Sequence, residues 1–360
     1  MNDTFFMNRA IMLSTRARGM TSPNPMVGAV IVKNGKIIAE GFHRKAGTPH
    51  AEALAITAAG GKAKTSTLYV SLEPCCHTDK RTPPCTRTII DSGIKRVVVA
   101  MRDPNPKVSG KGIKELERAG IEVVTGIQEE KAKQVNEFYI KYITTKKPFV
   151  ILKVAMTLDG KIATAAGQSK WITGEKSRMM VHRLRSSVDA VMTAIGTVKA
   201  DDPQLTARIR NGRNPKRILI DPFLEVSLDA KILRAPHEAI IVTKETRNMA
   251  LSRKLNKLSN IGSYIILYKQ TLELNWLLQR LGEIGITSLM LEGGSSLNAH
   301  ALKEKVVDKV LIFVAPKILG GKESYSAFGG ASPASLSDAI PLRNLEIRRI
   351  GEDILFVGNI

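Results

Sequence analysis

His50, Cys75 and Cys85 limit what this chain can become more than any other residues, because one ion held by all three draws separate segments together. The only cysteines are Cys75, Cys76 and Cys85, and they fall within eleven residues. His50-Ala51-Glu52 lies upstream, and Glu73-Pro74-Cys75 and Pro83-Pro84-Cys85 carry two of the sulfurs. One imidazole and two thiolates give zinc three protein ligands and leave a fourth position for water. That is the arrangement of a catalytic rather than a structural site. Glu52 is a neighbouring carboxylate that is not expected to ligate.

Clustered thiols in a chain with no recognisable signal segment favour metal ligation over a disulfide framework; three ordinary buried thiols are the plain alternative. The N-terminal stretch carries Asp3 and lacks a small-residue cleavage site. It reads as an amphipathic helix with Phe6, Ala10, Leu13 and Ala17 on one face. A length of 360 residues suits two domains, and 43% hydrophobic residues are ample for packed cores. No apolar run is long enough to span a membrane, so a cytoplasmic protein without a membrane partner is expected. The net charge of +21 favours phosphorylated or polyanionic partners. Basic residues are scattered, however, and aromatics make up only 5%, which is poor material for stacking single strands. A phosphate-bearing small molecule is therefore expected, and nucleic acid is not.

The first half alternates helix and strand. Runs 27–33 and 36–42, joined by Asn34-Gly35, predict a hairpin with a type I′ turn. Thr48-Pro49 predicts a helix N-terminus, so that His50 and Glu52 open a helix reaching about Ala59. Strands are expected at 67–72, 96–100 and 121–124, and helices at 85–92 and 111–119. Residues 128–147 read as one polar helix-prone stretch ended by Pro148, which places a boundary near residue 146. Beyond it, strands at 149–156, 190–195, 217–220, 239–242, 263–267, 288–292 and 309–314 alternate with helices at 175–187 and near 272–281. A further helix follows Gly293-Gly294. Both halves are α/β layers, and no repeat of solenoid length appears.

Zinc at His50, Cys75 and Cys85 would lower the pKa of a bound water and make hydroxide available near pH 7. Glu52, two residues on, is placed to move that proton to departing ammonia. His77 competes as a ligand, with a substrate or surface role as its other reading, and Cys76 is expected to point elsewhere. An H-x-E followed by P-C-x-x-C marks zinc-dependent nucleobase deaminases; here the second cysteine is displaced. In the second half no G-x-G-x-x-G follows a strand. Glu292-Gly293-Gly294-Ser295 instead joins a strand to a helix whose first amides suit an anion, though the same pattern serves as an ordinary tight turn.

Ser22-Pro23-Asn24-Pro25-Met26-Val27-Gly28, His50-Ala51-Glu52, Glu73-Pro74-Cys75 and Thr82-Pro83-Pro84-Cys85 resemble the deaminase half of a known family. It is the bifunctional riboflavin-biosynthesis family of diaminohydroxyphosphoribosylaminopyrimidine deaminase and 5-amino-6-(5-phosphoribosylamino)uracil reductase. The segment between the ligand cysteines is usually one residue shorter there than His77-Thr78-Asp79-Lys80-Arg81 makes it here. Lys153 to Lys161, Trp171-Ile172-Thr173, Gly196 to Arg208 and Ala315 to Gly321 are similar to the reductase half, so the resemblance covers nearly the full length.

The resemblance implies a cytidine-deaminase-like three-layer α/β/α domain at 1–146, zinc-dependent and acting on a pyrimidine. It implies a dihydrofolate-reductase-like α/β domain at 147–360 that binds NADPH. In the first, zinc would sit on His50, Cys75 and Cys85, with Glu52 as proton donor. Asn24 is a candidate for the pyrimidine edge and His43 for the substrate phosphate. Asp103 and Asn105 follow a strand end, where α/β sheets bind ligands; each of the four is equally readable as a turn residue.

In the second domain Ala155, Trp171, Thr197 and Asp201, with Gly294, Ser295, Ser296, Leu297, Asn298, Ala299 and His300, would line the NADPH site. Lys153 is a candidate ribose or cofactor contact, with a solvated edge-strand lysine as its other reading. Ser169, Arg185, Leu205, Arg208 and Glu292 would hold substrate. The forks of Arg185 and Arg208 suit phosphate, and Glu292 can accept from ribose hydroxyls. Pro222 replaces a small polar residue, leaving only backbone for a cofactor contact.

The expected reactions are zinc-hydroxide deamination of 2,5-diamino-6-ribosylamino-4(3H)-pyrimidinone 5′-phosphate, then NADPH reduction of the ribosyl side chain to give 5-amino-6-(5-phosphoribitylamino)uracil. No side chain stands out as proton donor to the second step. A homo-oligomer is expected. The alternative is a nucleic-acid (tRNA adenosine) deaminase whose C-terminal domain is non-catalytic.

Overall fold

Asn2 caps the first helix, α1 (Asp3–Ser14), its side chain accepting from the Phe5 amide at 3.1 Å. The face bearing Phe6, Met7, Ala10 and Leu13 is buried. The computed structural model describes residues 2–77, 83–234 and 237–360, in two units, Met1–Lys146 and Lys147–Ile360.

In the first unit α1 lies on β1 (Gly28–Lys33), which pairs antiparallel with β2 (Lys36–Phe42). The joint is Asn34 at φ 51 and Gly35 at φ 71, the two left-handed residues that a type I′ turn requires. After α2 (Ala51–Ala59) come β3 (Thr67–Val70), α3 (Cys85–Asp91), β4 (Arg96–Val99), α4 (Lys111–Arg118) and β5 (Glu122–Thr125). The sheet runs β2-β1-β3-β4-β5, antiparallel around β1 and parallel from β3 onward. Val97, Val98 and Val99 are wholly buried, as strands covered on both faces must be. Because β3 and β4 are parallel, the segments leading to Cys75 and to Asp103 leave the sheet at the same end. That is where open α/β sheets place ligands.

Two sequence expectations change here. The helix after Pro49 starts at Ala51 with His50 as its N-cap. Thr48 does not cap it, because its hydroxyl closes the preceding turn onto the Lys45 carbonyl at 2.7 Å. The polar stretch 128–147 is two helices, α5 (Glu129–Val135) and α6 (Glu137–Thr145). Asn136 separates them, and both it and Tyr139 are buried.

The second unit is built on β6 (Phe149–Thr157), which is followed by β7 (Lys161–Ala163), α7 (Glu175–Ser187), β8 (Ala190–Ala194) and α8 (Ile195–Asp201). Next come β9 (Lys216–Ile220), β10 (Ala239–Lys244), α9 (Met249–Asn260), β11 (Tyr264–Tyr268), α10 (Leu274–Glu283) and β12 (Ser288–Leu291). The chain closes with α11 (Ser295–Lys303), β13 (Lys309–Ala315), β14 (Tyr325–Ser326), β15 (Arg343–Ile350) and β16 (Asp353–Asn359). The main sheet runs β11-β10-β9-β8-β12-β6-β13-β16-β15, with β7 and β14 paired apart. Pairing is parallel from β11 to β13 and antiparallel through β16 and β15.

Val150, Leu152 and Val154 face the core, so Lys153 and Ala155 point to the other side of the sheet. β6 is central, so Lys153 is not the solvated edge lysine that one reading allowed. The parallel ends of β8, β12 and β6 deliver α8, the Gly293-Gly294 turn and Thr157 to one end of the sheet. No helix among the described residues is long and apolar enough to cross a membrane.

Helix α1 approaches the sheet so closely that a Cβ on Gly28 would lie 2.0 Å from the Ala10 carbonyl oxygen. Gly28→Ala must push backbone from backbone, and a loss of about 1–3 kcal/mol is expected, read as a lower urea midpoint with an unchanged slope.

Candidate active sites

His50 has extended backbone (φ −74, ψ 164), so its ring leaves the helix axis instead of following the first turn. Its Nδ1 lies 3.2 Å from Cys85 Sγ and 3.5 Å from Cys75 Sγ, and the three atoms all fall within 4.8 Å of one another. With bonds of about 2.0–2.3 Å, tetrahedral zinc ligands stand about 3.5–3.8 Å apart, so the donor set fits that ion closely. The Thr86 amide donates to the Cys75 carbonyl at 3.3 Å, tying the start of α3 to the other sulfur. Glu52 is 3% exposed, and its Oε2 has no hydrogen-bond partner among the described residues. Burial pushes its carboxyl above the ordinary range, and Cys75 adds to this while His50 opposes it. A buried carboxyl with an unanswered oxygen beside three converging donors can hold a proton. Cys76, whose thiol burial pushes up, and His77 lie outside the converging group.

His43 packs edge-on against His50 with ring centroids 5.2 Å apart. Its Nδ1 is 3.3 Å from the Pro49 carbonyl, while Nε2 is buried with no partner among the described residues. Asp103 is buried and accepts from Tyr139 Oη and the Asn105 amide, both at 2.8 Å. Asn105 Oδ1 accepts from the Lys107 amide at 3.1 Å, and Asn24 is exposed in a turn closed by its own amide onto Thr21. Lys80 and Arg81, in the lengthened segment, lie outside the described residues.

Three residues to which the sequence reading gave no role hold this site. The Glu73 carboxylate accepts from the amides of Asp103 (3.1 Å), Gly110 (3.0 Å) and Ile113 (3.3 Å), binding the loop after β4 to the segment carrying Cys75. Asn136 clamps Met26 through both its amide and its carbonyl, at 2.8 and 3.0 Å. Tyr139 orients Asp103. Glu73 was visible in the Glu-Pro-Cys motif, but the other two left no local signal.

Burial raises Asp103 from 3.8 to about 6. The folded state thus favours its protonated form, a contribution present below about pH 4 and lost as pH rises through 6. Asp103→Asn keeps the acceptor oxygen and removes the charge. It is expected to gain about 1–3 kcal/mol at pH 7 and to flatten the stability profile between pH 4 and 6, as denaturation at stepped pH would show.

In the second unit Glu292 is the centre. Its Oε1 accepts from Arg185 Nε at 2.6 Å, and its Oε2 from Arg185 Nη2 at 3.0 Å and Lys153 Nζ at 3.2 Å. Despite burial, these cations hold the carboxyl down at about 2. The Arg185 fork expected to take a phosphate is therefore directed at Glu292, and its Nη1 reaches the Thr206 carbonyl. Leu205 is buried and Arg208 exposed, both with left-handed backbone. Ser169 donates to Asp201 at 3.0 Å, so these two share one place. Trp171 is exposed with the Arg178 guanidinium 4.6 Å from its ring centre. Pro222 gives its carbonyl to the Lys244 amide at 3.4 Å and to Thr243 Oγ1 at 3.3 Å.

At the turn into α11 a Cβ on Gly293 would strike Leu297 at 2.7 Å, whereas one on Gly294 would meet only Thr197 Oγ1, at 3.7 Å. Gly294 is thus open, beside the first amides of α11, which fits a cofactor pyrophosphate. Asn298 donates to the Ala327 carbonyl at 2.9 Å, and its buried Oδ1 has no partner among the described residues. The run from Gly294 to His300 does not form one lining. Leu297 and Asn298 turn inward, Ser296 and His300 are exposed, and His300 pairs with Glu304 at 2.5 Å, because a helix presents only every third or fourth residue to one side.

Fold and sites together define a zinc-site deaminase joined to a reductase. Residues 1–101 match the cytidine and deoxycytidylate deaminase zinc-binding region, and residues 148–356 match the RibD C-terminal domain. The chain is 46% identical over 354 residues to riboflavin biosynthesis protein RibD of Aquifex aeolicus, covering 98% of this chain and 97% of that one. It is 38% identical over 368 residues to the RibD of Escherichia coli, with 98% of each covered.

Among solved structures, Acinetobacter baumannii RibD superposes with a TM-score of 0.90 at 38% identity, covering 99% of this chain and 98% of that one. The diaminohydroxyphosphoribosylaminopyrimidine deaminase/5-amino-6-(5-phosphoribosylamino)uracil reductase of Thermotoga maritima gives 0.87 at 39%, with the same coverage. The chain belongs to the RibD family of riboflavin biosynthesis. It is a bifunctional deaminase and reductase, with a cytidine-deaminase-like fold first and the family's reductase fold second, and it uses zinc and NADPH. The tRNA deaminase alternative is not favoured, because the second half matches a reductase domain.

Proposed function

We propose that residues 1–146 deaminate 2,5-diamino-6-ribosylamino-4(3H)-pyrimidinone 5′-phosphate. Residues 147–360 then reduce the ribosyl side chain to give 5-amino-6-(5-phosphoribitylamino)uracil. The observation that carries this is His50 Nδ1, Cys75 Sγ and Cys85 Sγ converging within 4.8 Å beside the unanswered Glu52 oxygen. Zinc held there supplies Lewis acidity that makes water a nucleophile near neutral pH. Glu52 takes the proton from the attacking water and returns it to the departing ammonia. Asp103, set by Tyr139 and Glu73, and His43, Asn105 and Asn24 hold the pyrimidine and its phosphate.

In the reductase half NADPH supplies the hydride. Its place is among Gly294, Ser295, Thr197, Ala155 and Trp171. Arg208 and Ser169 hold the substrate, and the Lys153–Glu292–Arg185 set fixes the pocket's polar wall. The high positive charge suits phosphorylated small molecules rather than nucleic acid. A cytoplasmic homo-oligomer without a membrane partner completes the reading.

Glu52→Gln is expected to slow ammonia release by about 10²- to 10⁴-fold while reduction of supplied deaminated intermediate continues. Ammonia release at the parental rate would remove Glu52 from its role. A zinc chelator is expected to stop deamination, and omission of NADPH to let the deaminated ribosyl compound accumulate, both followed by chromatography of the pyrimidines.

A further inference from the structure

The Thr206 carbonyl oxygen receives two donors from one helix, His182 Nδ1 at 3.3 Å and Arg185 Nη1 at 3.2 Å. A carbonyl can only accept, so Nδ1 carries the hydrogen, and in the neutral ring Nε2 is a bare lone pair. Thr206 lies between Leu205 and Arg208, whose φ values are 53 and 48. The paired donors therefore pin a loop in a conformation that residues with side chains seldom adopt, and the loop carries Arg208 to the same place.

The charges around the ring do not balance. Facing His182 are Arg185 from its own helix, Arg208 from the pinned loop, and Glu292 from the end of β12, to which Lys153 of β6 is also bonded. Three cations thus surround one carboxylate. Glu292 answers Arg185 and Lys153, while Arg208 forms no ion pair among the described residues. Burial and Arg185 push the Arg208 guanidinium down. Burial, Arg185 and Arg208 push the His182 imidazole down too, so without an anion the ring is neutral at pH 7.

We propose that His182 is a proton-linked phosphate-binding residue of the second unit, taking a proton from solvent and donating Nε2–H to a phosphomonoester oxygen beside Arg208. This rests on the reading that this pocket takes a phosphorylated ribosyl substrate. A phosphate dianion only accepts, and a neutral His182 whose Nδ1–H is donated to the Thr206 carbonyl has no hydrogen on Nε2 to offer it, so a contact between the two would be repulsive. Protonation turns that contact into a charge-assisted hydrogen bond, and the dianion in turn stabilises the imidazolium. Binding and proton uptake are one event.

The test uses the full chain and ribose 5-phosphate, with calorimetry at pH 7.5 in buffers of different ionisation enthalpy. His182→Asn retains a donor for Thr206 and loses the titrating nitrogen; Arg208→Ala removes the neighbouring cation. The parent is expected to take up protons on binding. His182→Asn should lose that uptake and bind about tenfold more weakly, a change of about 1.4 kcal/mol, and Arg208→Ala should also weaken binding. Uptake and affinity unchanged in His182→Asn, with Arg208→Ala weakened, overturn the role of His182 and leave the phosphate pocket standing. No effect in either variant overturns the pocket reading as well. Should the asparagine variant not fold, imidazole NMR of the parent decides: one histidine must titrate higher with ribose 5-phosphate than with ribose, and His182→Gln must remove that resonance.

Discussion

Two sulfurs and a ring nitrogen gathered within 4.8 Å are what one cation needs to be held, and the first unit is organised around that fact. Cysteines bind a cation as thiolates, and like charges at this range repel, so the backbone must hold them there. It does so with a helix cap at His50, a helix start at Cys85 and a strand-end segment anchored by Glu73. His50 and Cys85 meet the ion through their side chains, while the cap, the helix start and the Glu73 anchor act through the backbone. Each removes a freedom that would let the donors separate, which is how a site becomes preorganised.

The second unit solves a related problem with opposite sign. Glu292 is buried and stays ionised because Arg185 and Lys153 are bonded to it. Breaking such a set by removing one partner leaves an uncompensated buried charge. The set also occupies the Arg185 fork, Nε and Nη2 on Glu292 and Nη1 on the Thr206 carbonyl. Arg208, by contrast, is exposed and forms no ion pair among the described residues.

Much of this was legible in the residues. Asn34-Gly35 announced its turn, the alternation of strands and helices announced two α/β layers, and the clustered cysteines downstream of His50-Ala51-Glu52 announced the metal donors. What the sequence hid had physical causes. Thr48-Pro49 resembled a helix start, but the threonine hydroxyl found a nearer carbonyl. Residues 128–147 looked like one polar helix because Asn136, where the two helices part, and Tyr139 are themselves polar and leave no apolar signal of their burial. The hairpin of β15 and β16 went unread since β15 is an exposed edge strand with charge at 343, 346, 348 and 349, which blunts both alternation and edge pairing. Strand position in the sheet was equally hidden: Lys153 reads as an edge lysine until β6 is seen at the centre.

The clamp of Asn136 on Met26 sets a lower limit on how small a working deaminase fragment can be. The zinc-binding family pattern ends at residue 101 and the sheet ends at Thr125, yet Asp103 and the loop at Met26 take their orientation from α6 and the residue before it. A fragment excised at either point would keep every metal donor and lose the bracing of Asp103 and of the chain at Met26. It would be a metal-loading core with slack walls, and α5 and α6 belong to the body of the first unit.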